Sequence, residues 1–357
     1  MKKNILFLVR AVCFSLITVL VLLYAGYVLT PKDDFGICSM MNLYNQEDNS
    51  IDVLAVGSSL AYADINTNIL WGDYGIAAYN LCSAEQPFWI SYYVLKEALK
   101  TQTPRLILLD AKASTYTLDY SKRGRVILST YGIRGLDNRI GAIKSCVEND
   151  ENALDFLLQF GQIHANFQDL TLSDFVFPPD NGGRGRSWKG FIEIDLVESH
   201  ERPSLVWTST KRNMNEREEE YARKIFELCI EKNIPILVVG MPNPDYAYDH
   251  MYYNALWAVA EEYGIYGINY NDPDMRFGLR YSSDFADWQH LNVKGSITFS
   301  KQLGADLKYW FDIPDRRGDK KYASYEECAE IWFSKADEFE SGGEAYKPYS
   351  YYKGEGV

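Results

Sequence analysis

The sequence predicts an α/β protein: a parallel sheet covered by helices on both faces, a three-layer α/β/α sandwich, behind an N-terminal transmembrane helix. Three observations predict it. Short runs such as residues 51–56 (IDVLAV), 106–109 (LILL) and 235–240 (PILVVG) are apolar at nearly every position, as strands buried on both faces are. These runs alternate with longer helical patterns, the order expected of βαβ units. Residues 11–29 (AVCFSLITVLVLLYAGYVL) are apolar and free of charge, close to the roughly 20 residues a helix needs to cross a bilayer.

The N-terminal segment carries Lys2, Lys3 and Arg10 ahead of the apolar run and Lys32, Asp33 and Asp34 behind it. A cationic flank stays in the cytoplasm, so a single-pass cell-membrane protein is expected, with its main domain outside. A cleaved signal peptide is the rival reading, but no clear Ala-x-Ala site follows the run. Residues 1–30 are thus a cytoplasmic tip and signal anchor, 31–50 a short polar stalk and 51–312 the α/β domain. Within that domain, residues 51–56 form the first strand and 77–81 the second. A helix follows that Pro87 starts, running to about Lys100, and 106–109 form the third strand. Residues 213–232 read as a charged amphipathic helix, 235–240 as the fourth strand and 251–263 as another helix. A short strand near 266–268 and a last helix over 293–311 complete the series. The interval 113–205 breaks this rhythm with polar and glycine-rich stretches such as 178–186 (PPDNGGRGR). It reads as a partly helical insertion over the functional edge of the sheet. Residues 313–357 form an acidic polar tail. One amphipathic helix is expected over 324–339, and a tyrosine cluster, Tyr349-Ser350-Tyr351-Tyr352, lies near the end.

A formal net charge of −13 argues against nucleic acid, whose phosphates require cationic stripes. It also weighs mildly against a strongly anionic polymer. The 27 tyrosines suit sugar rings but equally fill cores. The six cysteines contain no C-x-x-C pair and the four histidines no metal-ligand spacing, so neither a metal nor a cofactor is expected.

Gly57-Ser58-Ser59 closes the first strand, and Asp287-Trp288-Gln289-His290 stands just before the last helix. A serine hydroxyl is a weak nucleophile until a base takes its proton. Neutral imidazole does so near neutral pH, and an aspartate on its other nitrogen fixes the tautomer and stabilises the imidazolium. Ser59 is therefore assigned as nucleophile, His290 as general base and then acid, and Asp287 as orienter. Ser58 is the alternative nucleophile. An Asp287 that caps a turn and a His290 packed at a helix start is the bland reading of the same residues. His164 and Lys189-Gly190-Phe191, in the insertion, are weaker candidates for lining a substrate groove.

Taken together these stretches resemble the SGNH/GDSL hydrolase superfamily. Gly57-Ser58-Ser59 stands where the family carries Gly-Asp-Ser, with Ser59 at the nucleophile's position. Residues 80–87 (NLCSAEQP) look like its Asn-Leu-Gly-x-x-Gly block, and residues 287–292 (DWQHLN) like its Asp-x-x-His block. The resemblance implies an oxyanion hole built from the Ser59 N–H and the second block, so Leu60, Asn80, Cys82 and Gln86 are the candidate oxyanion or substrate-binding residues. Cys82 and Glu85 stand where the family has glycines, and Leu109-Asp110-Ala111-Lys112 replaces its Gly-x-Asn-Asp. That last departure is typical of the membrane-anchored branch that resembles the teichoic-acid D-alanine transfer protein and the alginate O-acetylation proteins. The resemblance implies O-acyl esterase or acyltransferase chemistry on an envelope or exported polysaccharide. It also implies a multispanning membrane acyltransferase as partner. A non-catalytic envelope module that binds glycan or such a partner is the alternative.

Overall fold

A computed structural model gives the fold and describes residues 2–30, 35–148, 150–157, 163–175, 187–203, 208–244, 246–272, 274–275 and 277–340. The glycine-rich run 178–186 and the tyrosine cluster 349–352 lie outside the described residues. The first helix, α1 (Lys2–Leu29), has a span with mean hydropathy 2.7 that is long and apolar enough to cross a membrane, and that window is 0% buried. Its last turn behaves differently: Val28, Leu29 and Thr30 are buried. The segment read as a stalk also belongs to the domain. Every residue of α2 (Ile37–Leu43) is buried, because Ile37, Met40, Met41 and Leu43 supply an apolar face to the core.

Five parallel strands form the central sheet: β1 (Val53–Gly57), β2 (Ala78–Cys82), β3 (Leu106–Asp110), β6 (Ile236–Gly240) and β7 (Tyr266–Asn269). Their spatial order is β2-β1-β3-β6-β7, with Gly57 opposite Cys82 and Val56 opposite Leu109. The hydrophobic runs alternate between two cores, as the pleat requires. Leu54, Val56, Leu81, Ile107, Leu109 and Val238 face one core; Val53, Ala55, Leu106, Leu108, Leu237 and Val239 face the other.

The first core takes its other side from α5 (Phe88–Ala98), α7 (Leu136–Cys146), α9 (Glu216–Glu231) and α10 (Tyr246–Glu262). Against the second core pack α3 (Ser59–Asp64), α4 (Thr67–Tyr74) and α11 (Val293–Trp310). Sequence periodicity missed α3 and α4. They are short, and α4 is buried on most sides, so neither shows an amphipathic stripe. The starts of α4, α9 and α11 are set by asparagines Asn66, Asn215 and Asn292, whose side-chain oxygens accept helix N–H bonds, as N-caps do. The insertion contributes α6 (Arg123–Thr130) and α8 (Asp150–Leu157) besides α7. It also holds a small antiparallel hairpin, β4 (Ser187–Trp188) and β5 (Phe191–Ile192).

That hairpin lies on the free edge of β2: the Asn80 N–H donates to the Lys189 carbonyl at 2.9 Å. Only glycine fits at its turn. Gly190 has φ +83, and a Cβ there would stand 1.9 Å from the Asn80 carbonyl oxygen. Beyond α11, the described part of the tail returns to the domain. In α12 (Ala323–Glu340), Tyr325, Cys328 and Trp332 pack with Trp71 and Trp188.

Candidate active site

The chain leaves β1 toward β2 on one side and later reaches β3 on the other, so the order reverses at β1. Open α/β sheets form a ligand crevice at such a point, beyond the carboxyl ends of the strands. Gly57 and Asp110 meet there. A Cβ on Gly57 would stand 2.3 Å from the Asp110 Cβ, so a residue without a side chain is needed for β1 and β3 to close.

Ser58 and Ser59 then diverge. Ser58 is buried; its N–H and Oγ donate to Asp110 Oδ2 at 2.9 and 2.5 Å, and its Oγ accepts the Leu60 N–H at 3.2 Å. It caps α3. Ser59 is the first residue of α3 and only partly covered. Its Oγ lies 2.8 Å from His290 Nε2.

His290 arrives on a tight turn closed by Asp287. Asp287 Oδ1 accepts the Gln289 and His290 N–H groups at 2.7 and 2.8 Å, and Asp287 Oδ2 lies 2.8 Å from His290 Nδ1. Burial alone pushes the Asp287 carboxyl up, but the bonds from the His290 ring and the two backbone N–H groups outweigh it and bring its pKa to about 2. An ionised Asp287 requires the proton on Nδ1 and leaves the Nε2 lone pair for the Ser59 hydroxyl. The turn is fixed further by the Ala286 N–H on the His290 carbonyl, by the Phe285–Leu291 bridge, and by the Asn292 amide on the Ser283 carbonyl.

One residue that sequence reasoning missed ties the two halves together. Asp64, at the end of α3, is fully buried, and its Oδ1 accepts the Leu291 N–H at 3.0 Å. Thus the helix that begins with Ser59 is bonded to the residue after His290. Asp64 Oδ2 has no hydrogen-bond partner among the described residues. Burial, reinforced by the charges of Asp110 and Asp287, holds this carboxyl well above its ordinary range despite the Leu291 bond. The available signal was a lone acid in the apolar run 60–65 (LAYADI), since an unpaired buried carboxyl is costly.

The four expected oxyanion or substrate-binding residues do other work. Asn80 Nδ2 donates to the Ile65 and Ala61 carbonyls at 2.7 and 3.5 Å, holding the end of α3. Gln86 Nε2 donates to Ser91 Oγ and the Leu81 carbonyl, while Gln86 Oε1 accepts from Ser83. Both amides have therefore committed their two N–H groups. The Leu60 N–H serves Ser58, and the Leu60 side chain is core. Cys82 is buried, its thiol set against the Ala55 carbonyl and raised well above its usual pKa by burial, so it is neither a donor into the crevice nor a reactive thiolate. The Ser59 N–H, at the start of α3, finds no acceptor among the described residues and is a candidate oxyanion donor.

The weaker candidates lie elsewhere. Lys189 is buried, its ammonium bonded to Gln46 Oε1 and Ser324 Oγ and set over the Tyr325 ring at 4.5 Å. Phe191 is core. His164 opens a short 3-10 turn beside the end of α1. Among the described residues, no cluster of His, Cys, Asp and Glu could hold a metal, and all six cysteines are free thiols.

The Ser59–His290–Asp287 chain can move a proton from an attacking hydroxyl to imidazole and return it to a leaving alkoxide. No protein-family model matches the chain, and no curated protein matches it.

Proposed function

We propose that this is a membrane-anchored, serine-dependent O-acyl esterase or acyltransferase with an SGNH-type three-layer sandwich. It acts outside the cytoplasm on an envelope or exported polysaccharide. The single observation that carries the reading is the unbroken bond chain from Ser59 Oγ through His290 to Asp287. Orientation is inferred from Lys2, Lys3 and Arg10 ahead of the apolar span. The polysaccharide and a multispanning acyltransferase partner follow from the family resemblance alone.

In the reaction, Ser59 Oγ bonds to the ester carbonyl carbon as its proton passes to His290 Nε2. The alkoxide leaves with that proton, giving an acyl-Ser59. Water or a sugar hydroxyl then repeats the steps in reverse roles, releasing acid or a new ester. Full-length protein in detergent should hydrolyse p-nitrophenyl acetate, and Ser59→Ala should remove at least about 1,000-fold of kcat, the scale of losing a triad nucleophile. Equal turnover in the two proteins refutes the mechanism.

A second reading has its own observation: the amides of Asn80 and Gln86 are committed internally, so any oxyanion donor is a backbone N–H. A glycan-binding or partner-docking module needs no more than that. A fluorophosphonate that labels Ser59 only when His290 is present supports the enzyme; glycan binding without labelling supports the module.

A further inference from the structure

The loops after β2 and β3 enclose a groove of about 230 Å³, with Glu85, Trp89, Tyr116, Tyr120, Lys122 and Arg125 in its walls. Strand order dictates where it lies. Because β1 sits between β2 and β3, a groove that joins the loops of the outer pair passes by the end of β1, where Ser58 and Ser59 stand. Two contacts agree with this. The Ser83 N–H, two residues before Glu85, donates to the Gly57 carbonyl at 3.2 Å. Asp110, which holds Ser58, caps the short 3-10 turn Ala111–Thr115 that ends at Tyr116 in the groove wall.

The lining specifies a chemistry. Arg125 Nη2 and Glu85 Oε1 are paired at 3.0 Å, with side chains 34% and 49% exposed. The pair is neutral overall yet offers a ligand both a carboxylate acceptor and a fork of guanidinium donors. Arg125 holds the Glu85 carboxyl below its ordinary range, so the acceptor stays ionised. Across the groove, Tyr120 is 39% exposed. The Arg217 guanidinium, 4.7 Å from the Tyr120 ring and 5.1 Å from that of Trp89, steadies it. Hydroxyl groups at the rim of a ring and C–H bonds on its face satisfy both walls at once. A charged ring of either sign would meet a like charge, Glu85 on one hand or Arg125 and Lys122 on the other, and an alkyl chain would desolvate the ion pair without replacing its water.

We propose that this groove is a subsite for one uncharged sugar residue, its hydroxyls read by the Glu85–Arg125 pair and its face packed on Tyr120. The proposal deepens the O-acyl reading by placing the sugar beside Ser59, and it rests on that reading for the reaction though not for the binding.

The test uses full-length Ser59→Ala protein in detergent, titrated with methyl glucopyranoside and, separately, methyl glucuronoside, with saturation-transfer NMR as the readout. Saturable binding of the neutral sugar is expected, weakened roughly tenfold by adding either Tyr120→Ala or Glu85→Ala. Tyr309→Ala, at the exposed end of α11, should bind as the parent does. The proposal is overturned by no saturable binding of the neutral sugar, by stronger binding of the glucuronoside, or by Tyr120→Ala and Glu85→Ala proteins that both bind like the parent. Because the titrated protein lacks the nucleophile, loss of the catalytic reading and loss of the subsite are separate outcomes: turnover that ignores Ser59 ends the first, and these NMR results end the second.

Discussion

Ser58 and Ser59 are neighbours in one tripeptide and have opposite fates. Ser58 faces a carboxylate, Asp110, and is sealed in; Ser59 faces an imidazole, His290, and is partly open. The carboxylates behind them differ as well. Asp110 is raised, first by burial, against bonds from Ser58 and the Lys112 N–H, while Asp287 is brought down to about 2. A carboxylate bonded directly to a serine acts here as an anchor for the β1–β3 junction. A carboxylate set one imidazole away is placed to support the proposed proton transfer, since imidazole accepts and returns a proton near neutral pH.

The largest effects should separate the two clusters. Asp287→Asn, which removes the acceptor that selects the Nδ1–H tautomer, should lower kcat for p-nitrophenyl acetate by about 10⁴-fold, with little change in KM. If it matches wild type, Asp287 merely shapes the turn. The same substitution has a signature in acid. Because the folded pKa of Asp287 lies below its ordinary value, its stabilising contribution is complete above that value. It is lost as pH falls from 3.8 to about 2, so thermal melts should show a larger acid loss in wild type than in Asp287→Asn, where Glu85, Glu97 and Asp315 still contribute theirs. Asp110, raised by burial, has the opposite sign: its share of stability is fullest below the ordinary carboxylate pKa and declines as pH climbs.

An intermediate effect is expected at Asp64, which joins the Ser59 helix to the His290 turn. Asp64→Ala should cost about 10- to 100-fold in kcat, the penalty for displacing a base by a fraction of an ångström. Asp64→Asn, able to accept the same N–H, should restore most of it. Equal losses in both variants would mean that the carboxyl itself, rather than the tether, is needed. The smallest effect belongs to Ser58→Ala. Removing a cap costs about 1 kcal/mol, visible as a lower Tm, with kcat changed less than about tenfold. A loss comparable with Ser59→Ala would reverse the assignment of the two hydroxyls.

Sequence patterns located the sheet because four of its strands are buried on both faces and therefore apolar throughout. Their bounds moved by a residue or so, as with Ala78–Cys82 against the expected 77–81. The helix expected over 213–232 begins only after its cap Asn215, and the one expected from 251 begins at Tyr246. The meeting of Ser59, His290 and Asp287 was legible because each is picked out by residue type beside a strand end or helix start. Asn80 and Gln86 were not, because an amide's duty depends on which carbonyls lie within reach of its rotamer, and those come from Ile65, Ala61, Leu81 and Ser91. The supposed stalk failed for a related reason: Cys38, Met40 and Met41 in a short segment give too few turns to reveal a buried face.

The join between α1 and the domain sets a geometric limit. Tyr27 packs on the first core, Leu29 belongs to it, and the Asn166 amide donates to the Leu29 carbonyl at 2.9 Å. A helix long and apolar enough to cross a bilayer, seated in this way, works as a ruler rather than a leash. Under the proposed anchoring, the crevice is carried at a set height and tilt above the lipid headgroups, and a substrate meets it only within that narrow zone. Lengthening the junction with a glycine-serine spacer would widen the zone.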